Sequence, residues 1–308
     1  VVENTVEPIL RFAHYALLLG MFGWSAFRLL GLKSLDWRKT DRSPGLAILA
    51  ALAALSISVA LMLISIAAMM ATPVFNLERS MLEAMIFGTD MGYAFIVRTG
   101  LLTAGLAAIL TLQNGRTAMA IAAGCYAGAL VTLSWSGHAA TTEGGLGVFH
   151  RLNNGAHLLA AGLWLGAIGW FLGLTVRSHR ARAQFREQAL LEEMHRFAPF
   201  GTTLVALVGL SGMINSHLIF GLPNVMTALE TPYGALLAVK VALVGAMLLC
   251  GAYNARTNRV HHKSTERRDT VNRAQALAAL RRSLAGEFLF GIAVIGLVAV
   301  LGTMSPLM

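Results

Sequence analysis

Eight stretches of the chain are apolar almost without interruption: roughly 8–31, 45–71, 92–112, 117–136, 155–176, 199–219, 233–255 and 284–304. Each has at least the length of about 20 residues that a helix needs to cross the hydrocarbon of a bilayer. Backbone N–H and C=O groups find no water there, so helix is the conformation expected of all eight. The pattern therefore predicts an all-α protein, a polytopic membrane helical bundle of about eight transmembrane helices. Residues 1–308 form one transmembrane domain, because no loop is long enough to hold a water-soluble one.

The linkers fall into two alternating sets. One comprises 32–44, the turn at Arg116, 177–198 and 256–283; together with Arg28 it holds 19 of the 24 Lys and Arg residues. The other comprises the two ends, 72–91, 137–154 and 220–232, whose loop cations are Arg79 and Arg151 beside Glu78, Glu83, Asp90, Glu143 and Glu230. Basic loops stay on the cytoplasmic side, so both termini are expected outside. The segments 178–197 and 260–283 are rich in Arg, Glu, Gln and Ala, and predict amphipathic helical extensions at the cytoplasmic surface. Their histidines, His179, His195, His261 and His262, lie among charges and read as solvated residues.

Composition agrees with residence in lipid: 56% of the residues are hydrophobic and 13% charged, with a mean hydropathy of +0.65. A net charge of +9 invites a nucleic-acid reading, but the cations sit in short segments between spans, which speaks for topology instead. Cys125 and Cys250 lie inside apolar runs with no CxxC, so neither a disulfide framework nor a thiolate zinc site is expected. Residues 1–7 carry Glu3 and Glu7 without Lys or Arg, a poor start for a cleavable signal peptide. No phosphate loop is present, so ATP-driven pumping within this chain is not expected. The fifth span carries Gly162, Gly166, Gly169 and Gly173, spacings that let helices approach closely.

Five histidines remain, His14, His138, His150, His157 and His217, and the topology puts all of them in outer loops or outer half-spans. His150 and His157 share a helix face if the fifth helix begins near 150. A lone histidine in an apolar helix is commonly a hydrogen-bonded packing residue. Five in one leaflet call for more, because polar groups there are costly. Imidazole is the commonest protein ligand for transition metals, and Met69, Met70, Met91, Met213 and Met304 add soft thioethers nearby. Imidazole with thioether favours copper over magnesium or calcium. Packing or contact with lipid accounts equally for many of the 14 methionines. Four charges lie within spans: Arg11, Arg98 and Lys240 in the outer half, and Glu287 about one turn inside the cytoplasmic end of the last span. The three cations either snorkel outward or hold anionic groups. Glu287 is either a partner for the arginines preceding it or an exit-side ligand or proton acceptor.

The run Ser136-Gly137-His138-Ala139-Ala140, then His157-Leu158-Leu159-Ala160-Ala161 leading to Trp164-Leu165-Gly166, resembles the copper resistance protein D (CopD) family of bacterial inner-membrane proteins. So do Gly92 with Arg98, Arg196-Phe197, Ser211-Gly212, Thr231-Pro232-Tyr233-Gly234 with Lys240 and Asn254, and Glu287 followed by Leu301-Gly302-Thr303-Met304-Ser305-Pro306. The resemblance implies copper handling, usually uptake across the inner membrane, beside a periplasmic partner of the CopC type. The outside is then the periplasm. It also implies His138 and His157 as ligands, with Trp164, Arg98, Lys240 and Glu287 matching the pattern. Many relatives place an acid three residues before the fifth-span histidine, where this chain has Asn154. Asparagine accepts a hydrogen bond but brings no charge to orient the imidazole or attract a cation.

The leading expectation is a copper-binding membrane protein, a transporter more than an enzyme. Copper enters at His138, His150 and His157, with His14 or His217 nearby, and continues through weaker sites among Met70, Met213 and Glu287. Other readings stay open: haem b held between His14 and His157, a copper oxidase site acting on a quinol or metal ion, and an assembly factor that delivers copper without transport.

Overall fold

The computed structural model describes residues 3–30, 44–112, 115–181, 184–221, 225–262 and 270–305, with no strand among them. The helices are α1 Glu3–Leu30, α2 Pro44–Met69, α3 Arg79–Gly88, α4 Asp90–Thr111, α5 Gly115–Val131, α6 Gly144–Ala181, α7 Gln184–Phe220, α8 Val225–Leu229, α9 Pro232–His262 and α10 Thr270–Leu301. Each apolar run of the sequence lies on one of the long helices. Seven of these are long and apolar enough to cross a membrane: α2, α4, α5, α6, α7, α9 and α10.

The eighth expected span is α1, and it stands apart for a physical reason. Arg11, His14, Tyr15 and Trp24 dilute its hydropathy, yet it packs against α2, α5, α6 and α10. A helix surrounded by protein presents little of itself to lipid and tolerates more polar side chains. Buried Leu18 and Phe22 of α1 join Leu102, Tyr126 and Leu130 in one apolar cluster. Phe27 joins Trp164, Phe171, Leu190, Met247 and Leu280 in another. Trp24 and Trp170 stack with centroids 4.1 Å apart, and the Trp170 indole donates to the Trp24 carbonyl at 3.2 Å.

Two of the four fifth-span glycines set the α1–α6 approach. A Cβ on Gly166 would stand 2.6 Å from the Gly23 backbone, and one on Gly162 would meet the Phe22 ring at 2.8 Å. Gly169 leaves ordinary contact with Phe288, and nothing lies within 4 Å of a Cβ on Gly173. The fourfold spacing in the sequence thus marks two positions of close approach.

Several helices outrun the spans expected of them. The spans foreseen at 155–176 and 199–219 are the membrane parts of α6, which starts at Gly144, and α7, which starts at Gln184. The helical extensions expected at 178–197 and 260–283 are continuations of α6, α7, α9 and α10, with 182–183 and 263–269 outside the described residues. Ala, Glu, Gln and Arg are good helix formers, so nothing in their sequence stops a helix where the apolar run ends. In the outer loop 72–91, α3 adds a short helix that the hydrophobic pattern did not announce.

Candidate functional site

The fourth apolar run ends in a short 3₁₀ turn, Thr132–Trp135. The chain then reverses at Gly137, whose φ of +82° is a left-handed conformation that glycine adopts without strain. His138 follows in a second 3₁₀ turn, His138–Ala140, so it lies beyond the end of the span; its side chain is outside the described residues. The early start of α6 places His150 and His157 on one helix two turns apart, as their spacing predicts.

A polar seam runs between α6 and α7. Asn153 Nδ2 donates to Asn215 Oδ1 at 2.7 Å and to the Ser211 carbonyl at 2.9 Å. Asn215 Nδ2 donates to Asn154 Oδ1 at 3.2 Å, and Asn154 Nδ2 donates to Ser134 Oγ at 3.1 Å. Asn154 is therefore used on both its oxygen and its nitrogen. It ties α6 to α7 and to the turn before His138.

His157 is the chemically distinctive member of this seam. Its Nδ1 lies 2.9 Å from Ser211 Oγ. The Ser211 hydroxyl has one hydrogen, directed at the Leu207 carbonyl one turn earlier. With that hydrogen on Leu207, Ser211 Oγ can accept from Nδ1–H, the tautomer that leaves the lone pair on Nε2. Gly212 leaves space beside the ring, since a Cβ there would meet His157 Cε1 at 3.4 Å. A neutral imidazole held at one nitrogen and bare at the other is how proteins present histidine to a metal. Lys240 lies on α9.

The other expected ligands are spread out. His150 is buried, with Nδ1 2.9 Å from Thr142 Oγ1. His14 is buried in a different place, its Nε2 2.7 Å from Ser58 Oγ on α2 and its Nδ1 without a hydrogen-bond partner. It lines a recess with Met62, Met91 and Arg98, among others. His217 is exposed near the end of α7. Met69, Met70 and Met213 are on the outside of the bundle, and Met304 packs beside Phe220, Tyr233 and Leu301. Among the described residues, no group of three or more His, Cys, Asp or Glu side chains is close enough to hold a metal ion.

The charges within spans also find definite places. Arg98 does not snorkel. It is buried, and its Nε donates to Thr132 Oγ1 at 2.9 Å. Arg11 pairs with Glu7 at 2.7 Å. Glu287 is buried between helices, where Asn254 Nδ2 donates to it at 3.2 Å. Among the described residues no arginine bonds to it; Arg267 and Arg268 of the preceding segment lie outside the described residues. Sequence reasoning missed Asn153, Ser58 and Met62. A pair of asparagines beside a span histidine is the signal that points to the first, and nothing comparable marks the other two.

Comparison with known proteins adds a separate line of evidence. Residues 3–148 match the family described as copper resistance protein D-like, N-terminal domain, and residues 191–301 match copper resistance protein D. Copper resistance protein D of Pseudomonas syringae pv. tomato is 31% identical, over 99% of this chain and 98% of its own length. The inner membrane protein YebZ of Escherichia coli K12 is 28% identical over 57% of this chain and 56% of its own. The copper transport protein CutJ of Bacillus subtilis 168 is 30% identical over 54% of this chain and 27% of its own. No solved structure matches.

Proposed function

The chain belongs to the copper resistance protein D family, a multi-pass membrane protein, and from that premise we propose that it takes copper at its outer face and imports it across the bacterial inner membrane. In this reading α1 is an eighth transmembrane helix at the centre of the bundle, and both termini lie in the periplasm. The charge asymmetry of the loops supports that orientation.

The observation that carries the reading is the His157–Ser211 pair. It leaves Nε2 of a neutral imidazole free, in a seam whose asparagines fix the ring's surroundings. His138 and His150 are the further ligands proposed, one in the turn before α6 and the other two turns earlier on it. His14 and His217 are held in reserve, since the first bonds to Ser58 in its own recess and the second is exposed. Arg98, Trp164 and Asn154 then shape the path and its walls, while Met70 and Met213, on the outside of the bundle, lie off it. A periplasmic copper carrier of the CopC type is the proposed donor.

Elemental and optical analysis of the protein purified from copper-fed cells tests this assignment. The expected outcome is bound copper with no Soret absorption. A Soret band without copper makes the bundle a haem protein and removes the reading.

A further inference from the structure

Arg98 is 7% exposed, and the hydrogen bond seen from it runs from Nε to Thr132 Oγ1 at 2.9 Å. Thr132 cannot answer the charge: it is neutral, and its own hydrogen goes to the Ala129 carbonyl at 2.6 Å. Among the described residues no carboxylate pairs with Arg98, and its two terminal nitrogens have no partner there. A guanidinium fixes its donors in a rigid fork suited to anions, and only Nε is in use here. A buried cation without a counter-charge is costly.

Arg98 lines a recess of about 40 Å³ between α1, α2, α4 and the turn ahead of His138. Leu61, Met62 and Phe95 give it apolar walls, and no Asp or Glu is among its lining residues. The other cation there, Arg11, is already paired with Glu7 at 2.7 Å. The recess therefore carries one uncompensated positive charge. His14 in the same wall adds a second unused polar atom. It is 1% exposed, its Nε2 lies 2.7 Å from Ser58 Oγ, and its Nδ1 has no partner. Nε2 is the acceptor seen for the Ser58 hydroxyl, and a bond given by Ser58 puts the imidazole hydrogen on Nδ1. In that tautomer His14 has a donor to offer and no lone pair left for a metal.

Size and charge narrow the occupant. A single water needs roughly 10–15 Å³ of such space, so the recess admits an ion of a few atoms. One positive charge between apolar walls matches one negative charge, and a dianion would bring a second that nothing there compensates. We propose that the recess binds a small monovalent anion, chloride or an ion of like size and charge, against the Arg98 guanidinium, with Ser65 and His14 in its wall. The bound ion ties α1, α2 and α4 together. The site requires neither bound copper nor transport.

Thermal unfolding of the full-length protein in lipid-free detergent, with sodium gluconate exchanged for sodium chloride at constant ionic strength, tests this. The melting temperature should rise by a few degrees and level off as the site fills. Bromide and nitrate should substitute for chloride, and sulfate should not. Radioactive chloride should stay with the protein and be retained several-fold less by Arg98→Gln. Ser65→Leu fills the recess from a partly exposed position and leaves the Arg98–Thr132 bond in place. It should lose chloride too, which keeps the test decisive if the Arg98 variant does not fold. A melting temperature indifferent to chloride, sulfate acting as well as chloride, or undiminished retention by the folded variants overturns the proposal. Stabilisation by phosphatidylglycerol with none by chloride overturns it as well, and makes the occupant a lipid headgroup.

Discussion

Replacing His138 and His157 together with alanine is expected to reduce the copper retained after dialysis by roughly tenfold or more, with the protein still folded. The argument is local. His157 offers a bare Nε2 because Ser211 holds its Nδ1–H, and Ser211 is free to accept because its own hydrogen goes to Leu207. Removing the ring removes the ligand. Ser211→Ala should act more weakly and in the same direction, since it only frees the ring to rotate or change tautomer. Losses of about 10–100-fold are usual when a residue orienting a metal-bound histidine is removed. The neighbouring Asn153–Asn215–Asn154 bonds do not involve the imidazole and should keep α6 and α7 joined in both variants. Elemental analysis with circular dichroism checks both halves, and unchanged copper in the double variant would remove these two histidines from the site.

Gly166→Ala is expected to destabilise the protein most among single methyl additions at the four fifth-span glycines, 162, 166, 169 and 173. The new Cβ would lie 2.6 Å from backbone atoms of Gly23, and backbone cannot swing aside as a side chain can. The two helices must separate, loosening the Trp24–Trp170 stack and the contacts of Phe22 with α6. Overpacking costs typically about 1–3 kcal/mol, and a rigid partner places this case at the upper end. Gly173→Ala is the matched control, since a Cβ there meets nothing within 4 Å. It should be neutral or slightly stabilising through helix propensity. Thermal unfolding in one detergent compares them, and equal melting temperatures would contradict the packing account.

The long helices were legible because apolar runs of membrane length admit little else. The extensions beyond them at 178–197 and 260–283 were legible from their Arg, Glu, Gln and Ala content, but not the residues at which they stop. The first turns of α6 were legible only conditionally, through the spacing of His150 and His157. Gly162, Gly166, Gly169 and Gly173 look alike in one dimension. Which two touch α1 depends on the rotation of α6, which their own spacing does not encode. Similarly, His157 stood out as a candidate, but its partner Ser211 is 54 residues away and ordinary in kind. For Glu287 the charge density of the preceding loop drew attention to arginine, while the partner seen among the described residues is Asn254, 33 positions earlier and ordinary in kind.

The five outer histidines illustrate how leaflet and site differ. Membrane depth groups them, but depth carries no information about position around the bundle. His14 faces Ser58 on α2, whereas His157 faces Ser211 on α7. The loop charges group them on one expected side, while helix packing gives His14 and His157 separate partners.

The central claim is import, and binding alone does not establish it. Radioactive copper uptake into lipid vesicles containing only this protein, oriented with the termini outward, tests it most directly. The account predicts copper accumulating inside faster than in protein-free vesicles, with the excess lost in the His138→Ala/His157→Ala protein. Uptake no faster than in empty vesicles, from a protein that still binds copper, would contradict it and leave a protein that holds the metal for delivery.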